Sequence, residues 1–212
     1  MIKDLHVEQR DLLVSFDVVS LFTQVPVKET LEIIKNKYQP PKHLMELTEP
    51  CLTNTYFIYK GQRYKQIEGA PMGSPLSPVI ADLFMEEFKS RALANATHKP
   101  KLWLRYIDDT FVIWPHGKEN LNNFLTHLNS THSKIKFTME TETNKQLPFL
   151  DVLIYKKTDG IVGHTIYQKK IHTNRYLNAQ SHHHPSQINS VAKTLIVRTK
   201  CLADKTHIKT KL

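Results

Sequence analysis

Between Leu102 and Trp114 the chain carries two apolar, β-type runs, 102–107 and 110–114, separated only by Asp108 and Asp109. A gap that short forces a tight hairpin and sets two adjacent carboxylates at its tip. Two-residue loops favour Asn-Gly or Asp-Gly because positive φ is needed there, so a pair of acids with Cβ atoms is a poor turn choice. A divalent cation that takes hard oxygen ligands offsets their repulsion. The alternative reading of the pair is an exposed acidic turn without a ligand.

A second acid makes the metal reading stronger. Residues 12–16 form a short apolar run, rich enough in branched and aromatic residues for a buried strand, and the run ends on Asp17. Placed beside the hairpin, that strand brings Asp17 to Asp108 and Asp109. Two magnesium ions roughly 3.5–4 Å apart, held by such acids, serve in-line nucleotidyl transfer. Alone, Asp17 reads equally well as a strand-end acid or a helix cap.

The remaining chain mixes helices with hairpins. Val27, Leu31, Ile34 and Tyr38 recur at three-and-four spacing over residues 27–38, which predicts a helix stopped by Pro40 and Pro41. Residues 44–55 read as another helix, and 56–66 as a hairpin around Gly61. The Gly- and Pro-dense loop 69–78 feeds a helix over 79–96, and residues 121–128 form an amphipathic helix. Further strands are expected at 135–140, 149–155 and 161–168, and a helix over 185–198. This order argues for an α+β structure with an antiparallel sheet backed by helices.

A formal charge of +9 and a pI near 9.4 favour an anionic partner, nucleic acid first among them. The surplus is C-terminal: residues 161–212 hold nine Lys or Arg against the one acid Asp204. A solvated lysine-rich tail is the bland alternative. Cys51 and Cys201 have no CxxC spacing, so neither a disulfide framework nor a zinc site is expected, and a reducing compartment, nucleus or cytoplasm, follows. No apolar stretch reaches membrane-spanning length, and the first ten residues lack the core of a secretory signal. The run His182-His183-His184 supplies no fourth ligand for zinc.

Four blocks, in order, resemble the reverse transcriptases, and most closely those of Penelope-like retroelements. Ser15-Phe16-Asp17-Val18-Val19-Ser20-Leu21-Phe22-Thr23 is similar to the family's motif A, Gly69-Ala70-Pro71-Met72-Gly73-Ser74-Pro75-Leu76-Ser77-Pro78 to motif B, and Tyr106-Ile107-Asp108-Asp109 to motif C. Leu147-Pro148-Phe149-Leu150-Asp151, with His172-Thr173-Asn174-Arg175-Tyr176-Leu177 after it, points to the Penelope-like branch and away from telomerase-like or group II intron-like enzymes.

The resemblance implies a right-hand polymerase palm with a partial helical thumb. Palm would occupy residues 1–37 and 67–180, a partial fingers insertion 38–66, and the start of the thumb 181–212. It implies catalysis by Asp17, Asp108 and Asp109, with two Mg2+ (or Mn2+) ions held by Asp17, Val18, Asp108 and Asp109. Phe22 matches the aromatic gate against a ribose 2′-hydroxyl; Met72, where many relatives carry glutamine, Gly73, Ser74 and Tyr106 would also meet the nucleotide. Lys136 is a loose match to the motif D lysine near the triphosphate. Lys169, Lys170, Arg175, Lys193 and Arg198 would contact the phosphates of an RNA template and DNA primer, with deoxynucleoside triphosphates as substrates.

The same resemblance leads one to expect N-terminal fingers strands before motif A and, in many members, a GIY-YIG endonuclease. Neither has a counterpart here, so a fragment with weak or no activity alone is expected. A non-catalytic nucleic-acid-binding module that uses the basic C-terminal helices is the competing reading.

Overall fold

The computed structural model describes residues 5–169, 171, 173, 175–178 and 180–204. Among the described residues six helices and nine strands follow one another as β1 (Leu12–Val18), α1 (Leu21–Gln24), α2 (Val27–Tyr38), α3 (Lys42–Thr53), β2 (Tyr56–Tyr59), β3 (Gln62–Lys65), α4 (Leu76–Ala94), β4 (Leu102–Tyr106), β5 (Asp109–Trp114), α5 (Gly117–Thr131), β6 (Phe137–Thr141), β7 (Gln146–Phe149), β8 (Val152–Lys156), β9 (Val162–Ile166) and α6 (Pro185–Leu202). The strands form a four-stranded sheet in the order β4-β5-β1-β6, the β2–β3 hairpin, and a three-stranded sheet β7-β8-β9. The pairings β2–β3, β4–β5, β7–β8 and β8–β9 are antiparallel. The expected α+β class with antiparallel sheets is what the chain adopts. Among the described residues no helix is long and apolar enough to cross a membrane.

The chain divides into two compact units, one of residues 16–140 and the other of residues up to 15 together with those from 141 onward. In the first, one face of the β4-β5-β1-β6 sheet is covered by helices. Phe16 stacks on Trp103 at 6.1 Å between ring centroids and meets Phe124 and Phe137 edge-on, while Trp114 lies 4.8 Å from Phe124. α4 buries Ile80, Ala81, Phe84, Met85, Phe88 and Ala92, and α5 buries Leu121, Phe124 and Leu128. Aromatic burial of this kind is the main force holding helices to sheet, since each ring removes a large apolar area from water.

In the second unit, the β7-β8-β9 sheet meets α6. Tyr155 donates its hydroxyl to Asp204 at 2.7 Å, and the ring of His164 bonds the Leu202 carbonyl at 3.1 Å. Lys156, whose side chain is 2% exposed, pairs with Glu142 at 2.6 Å and also donates to the Asp11 carbonyl. The other Glu142 oxygen accepts the Leu13 N–H at 3.0 Å.

Three expectations need correction. The hairpin turn consists of Ile107 and Asp108, because Tyr106 pairs with Asp109, so Asp109 begins β5 and is not part of the loop. The run 149–155 is two strands and not one: Phe149 pairs with Val152 across a turn at Leu150-Asp151. Both turns set an aliphatic residue at positive φ, 57° for Ile107 and 52° for Leu150, where composition predicts none. Finally, α4 starts at Leu76, which makes Pro78 a first-turn residue, a place where proline's missing N–H costs no hydrogen bond.

Candidate active site

The pleat of the sheet decides which side chains meet. Phe16 and Val18 are buried toward the helices, so Asp17 between them projects from the opposite face, where it is exposed. On the hairpin, Trp103 pairs with Val112 and faces the helices, which puts Thr110 on that side and Asp109 and Tyr106 on the face of Asp17. The Val18 N–H donates to the Asp108 carbonyl at 3.1 Å, so the hairpin tip lies directly beside Asp17. The three acids therefore share one side of the sheet.

A fourth acid, which sequence reading missed, joins them. The bond from Val19 N–H to the Lys136 carbonyl sets Asp17 opposite Thr138, and Glu140, two residues further along β6, shares that face. Its signal in the sequence was the alternation of apolar Phe137 and Met139 with polar Thr138 and Glu140. The Asp17 carboxyl is pushed above the ordinary carboxylate value by partial desolvation first, then by the negative charges of Asp108 and Glu140. Among the described residues no group of three or more His, Cys, Asp or Glu is gathered to hold a metal ion. Two neighbouring carboxylates nonetheless fit magnesium, which takes one or two carboxylates and completes its shell with water and substrate phosphate.

The turn that presents Asp108 is strained and externally held. A β-branched residue at positive φ costs on the order of 1–3 kcal/mol, and persists only where its surroundings over-determine it. Arg105 does this: it donates to the Ile107 carbonyl at 3.1 Å and to Asp82 at 2.5 Å and Glu86 at 3.3 Å, both on α4. Arg105 is thus a positioning residue, tying the acid-bearing turn to the helix behind the sheet.

Motif B reaches motif A through backbone. Ala70 N–H donates to the Phe22 carbonyl at 2.7 Å, and a Cβ on Gly69 would lie 2.6 Å from the Thr23 carbonyl oxygen and 2.8 Å from that of Phe22. Gly69 also has φ +76°. Gly69→Ala is therefore expected to cost about 2 kcal/mol, seen as a fall in Tm of about 4–8 °C. An unchanged melt would remove the close-approach argument. Phe22, on α1, and Ser74 are half-buried, while Met72 is 74% exposed, Tyr106 is 59% exposed and Gly73 has φ +88° with open space around it.

The expected cations are less uniform. Lys136 is exposed just before β6, and its ammonium donates to the Asn129 and His132 carbonyls, which caps the end of α5. In the second unit Lys169, Arg175 and Lys193 are exposed, and Arg198 is engaged with Asp151 at 2.7 Å. Lys170 lies outside the described residues. His184 caps α6, its ring accepting the Ser186 N–H at 3.3 Å.

Comparison with known proteins bears on the fold and family. The family model described as reverse transcriptase (RNA-dependent DNA polymerase) matches residues 2–156. No curated protein sequence matches the chain. Among solved structures, telomerase from Candida albicans, in complex with a fragment of telomeric RNA, superposes with a TM-score of 0.61 at 11% identity, covering 88% of this chain and 34% of that one. Truncated apo telomerase from Candida tropicalis gives 0.54 at 17% identity, covering 68% and 34%. An RNA-dependent RNA polymerase of a human picobirnavirus gives 0.53 at 13% identity, covering 74% and 33%. These identities speak for a shared right-hand polymerase fold, and the chain spans about a third of each of those proteins.

Proposed function

The chain belongs to the reverse transcriptase family, and on that premise we propose that it is the palm-centred part of an RNA-directed DNA polymerase from a Penelope-like retroelement. The observation that carries the reading is the meeting of Asp17 and Asp108 across the Val18–Asp108 backbone bond, with Asp17 already resisting ionisation beside its neighbour. Asp17 and Asp108, with Val18, would hold the ions, and Asp109 on the same face would be a weaker ligand. When bound, two magnesium or manganese ions activate the primer 3′-hydroxyl and stabilise charge on the leaving pyrophosphate. The chain's own groups position the reactants. Phe22 stands against a ribose 2′-hydroxyl, and Met72, Gly73, Ser74 and Tyr106 meet the incoming deoxynucleotide.

The retroelement assignment rests on the block from Leu147 to Asp151 and the block from His172 to Leu177. In this reading residues 1–37 and 67–180 are palm, 38–66 a partial fingers insertion and 181–212 the start of the thumb. Lys169, Lys170, Arg175, Lys193 and Arg198 then meet template-primer phosphates.

Magnesium titration tests the proposal. In chelator, extension of a DNA primer on an RNA template should be absent; added magnesium should restore it and also raise the Tm of the wild type, since an ion that binds only the folded state stabilises it. Asp108→Ala should lose both responses. Salt-sensitive nucleic-acid binding that ignores magnesium and this substitution would instead identify a non-catalytic binding module.

A further inference from the structure

The β2–β3 hairpin is exposed on both faces, although it is built largely from aromatic residues. Tyr56 is 65% exposed, Phe57 53%, Ile58 70%, Tyr59 58% and Tyr64 41%. Residues this apolar, left open together, mark an interaction surface. Their arrangement is specific. Phe57 pairs with Tyr64 and Tyr59 with Gln62, so three rings share one face. Phe57 and Tyr64 stack at 5.5 Å with planes 17° apart, and the Lys60 ammonium lies 5.4 Å over the Tyr59 ring. The other face alternates Tyr56 and Ile58 with Lys65 and Arg63.

Charge selects the occupant. From Pro50 to Ile67 there is no acid, against Lys60, Arg63 and Lys65. A second copy of this chain would bring like charges together, and an uncharged protein surface would leave them unused. At the root of the hairpin a cavity of about 530 Å³ extends the basic lining, with Lys65, Lys28 and Lys134 in its wall. Lys134 is tied to Glu68 at 2.7 Å, next to the Gly69 loop that leans on Phe22 and Thr23.

We propose that the β2–β3 hairpin is a stacking platform for single-stranded nucleic acid: bases lie on the face of Tyr59, Phe57 and Tyr64, and phosphates run along the β3 edge toward the cavity, met by Lys60 at the turn and by the long Arg63 and Lys65 side chains rooted on the other face. Ring faces accept any base, and the cations neutralise the backbone without reading sequence. The proposal deepens the polymerase reading, on which it rests only in naming the strand as template.

Fluorescence anisotropy on the full chain tests it, with labelled oligothymidylate and oligouridylate and a blunt duplex of equal length. The double substitution Phe57→Leu, Tyr64→Leu keeps apolar bulk but removes the ring faces. It should weaken single-strand binding on the order of tenfold to a hundredfold and leave duplex binding unchanged. Replacing Lys60 and Arg63 by Gln should flatten the slope of log affinity against log salt by about 0.7 per cation; this arm decides the matter even if the leucine variant melts early. The oligonucleotide measurements are made in chelator and need no catalysis, so a failed polymerase assignment leaves this result standing. Unchanged single-strand affinity and salt slope would overturn the proposal, and hairpin variants that shift the oligomeric state with unchanged affinity would make the surface a protein interface.

Discussion

Asp17→Asn is expected to raise the Tm at neutral pH without divalent ions, while abolishing the weak primer extension expected of this chain. Both effects have one cause. Partial desolvation and the charges of Asp108 and Glu140 raise the Asp17 pKa in the folded protein. Between the ordinary carboxylate value and that raised value the folded state binds more protons than the unfolded one, so stability falls as pH rises through the window and stays lower above it. The neutral amide removes this cost. In acid, where the carboxyl is protonated in both states, variant and wild type should converge. Asp17 is exposed, so solvent screening keeps the gain modest. Magnesium should reverse the ranking, because only the wild type retains the anionic ligand. Thermal melts across pH, with chelator and with magnesium, check this; a variant that melts below the wild type in chelator at neutral pH contradicts the account of crowded charges.

Glu142→Ala is expected to cost about 3–5 kcal/mol, a fall in Tm on the order of 10 °C. The Lys156 side chain is 2% exposed and Glu142 only 11%, so deleting the carboxylate strands an ammonium that water reaches poorly. It also leaves the Leu13 N–H without the oxygen it donates to. Replacing the pair together, Glu142→Leu with Lys156→Met, should recover most of the loss, since an apolar pair of similar volume carries no desolvation penalty. Urea unfolding of the single and double variants measures the coupling. If the double variant is as unstable as the single, the ion pair is not the cause.

The longer helices and the hairpins at 56–66 and 102–114 were legible from residue types. Val27 to Tyr38 was bounded correctly because its period and the following prolines are both local signals. The β2–β3 hairpin was legible for the same reason: Lys60-Gly61 is a turn whose glycine takes positive φ without cost. The turns at Ile107-Asp108 and Leu150-Asp151 were not, because an aliphatic residue at positive φ contradicts its own preference, and at Ile107 a group braced from elsewhere in the chain holds it there. For Ile107 that group is Arg105, braced on Asp82 and Glu86, and nothing near residue 107 in sequence announces α4.

The sequence by itself determined which acids were available and that they stood at strand ends: Asp17 closing one apolar run, Asp108 and Asp109 between two others. Such patterns are readable because burial repeats with the period of the backbone. Only the tertiary structure decided that β1 lies between β5 and β6, so that Glu140 joins Asp17 and Asp108, and that Lys136 caps a helix while Lys134 reaches the cavity. Strand order and cross-strand neighbours depend on which apolar faces pack against which helices, a property of the whole core that no local window of residues contains.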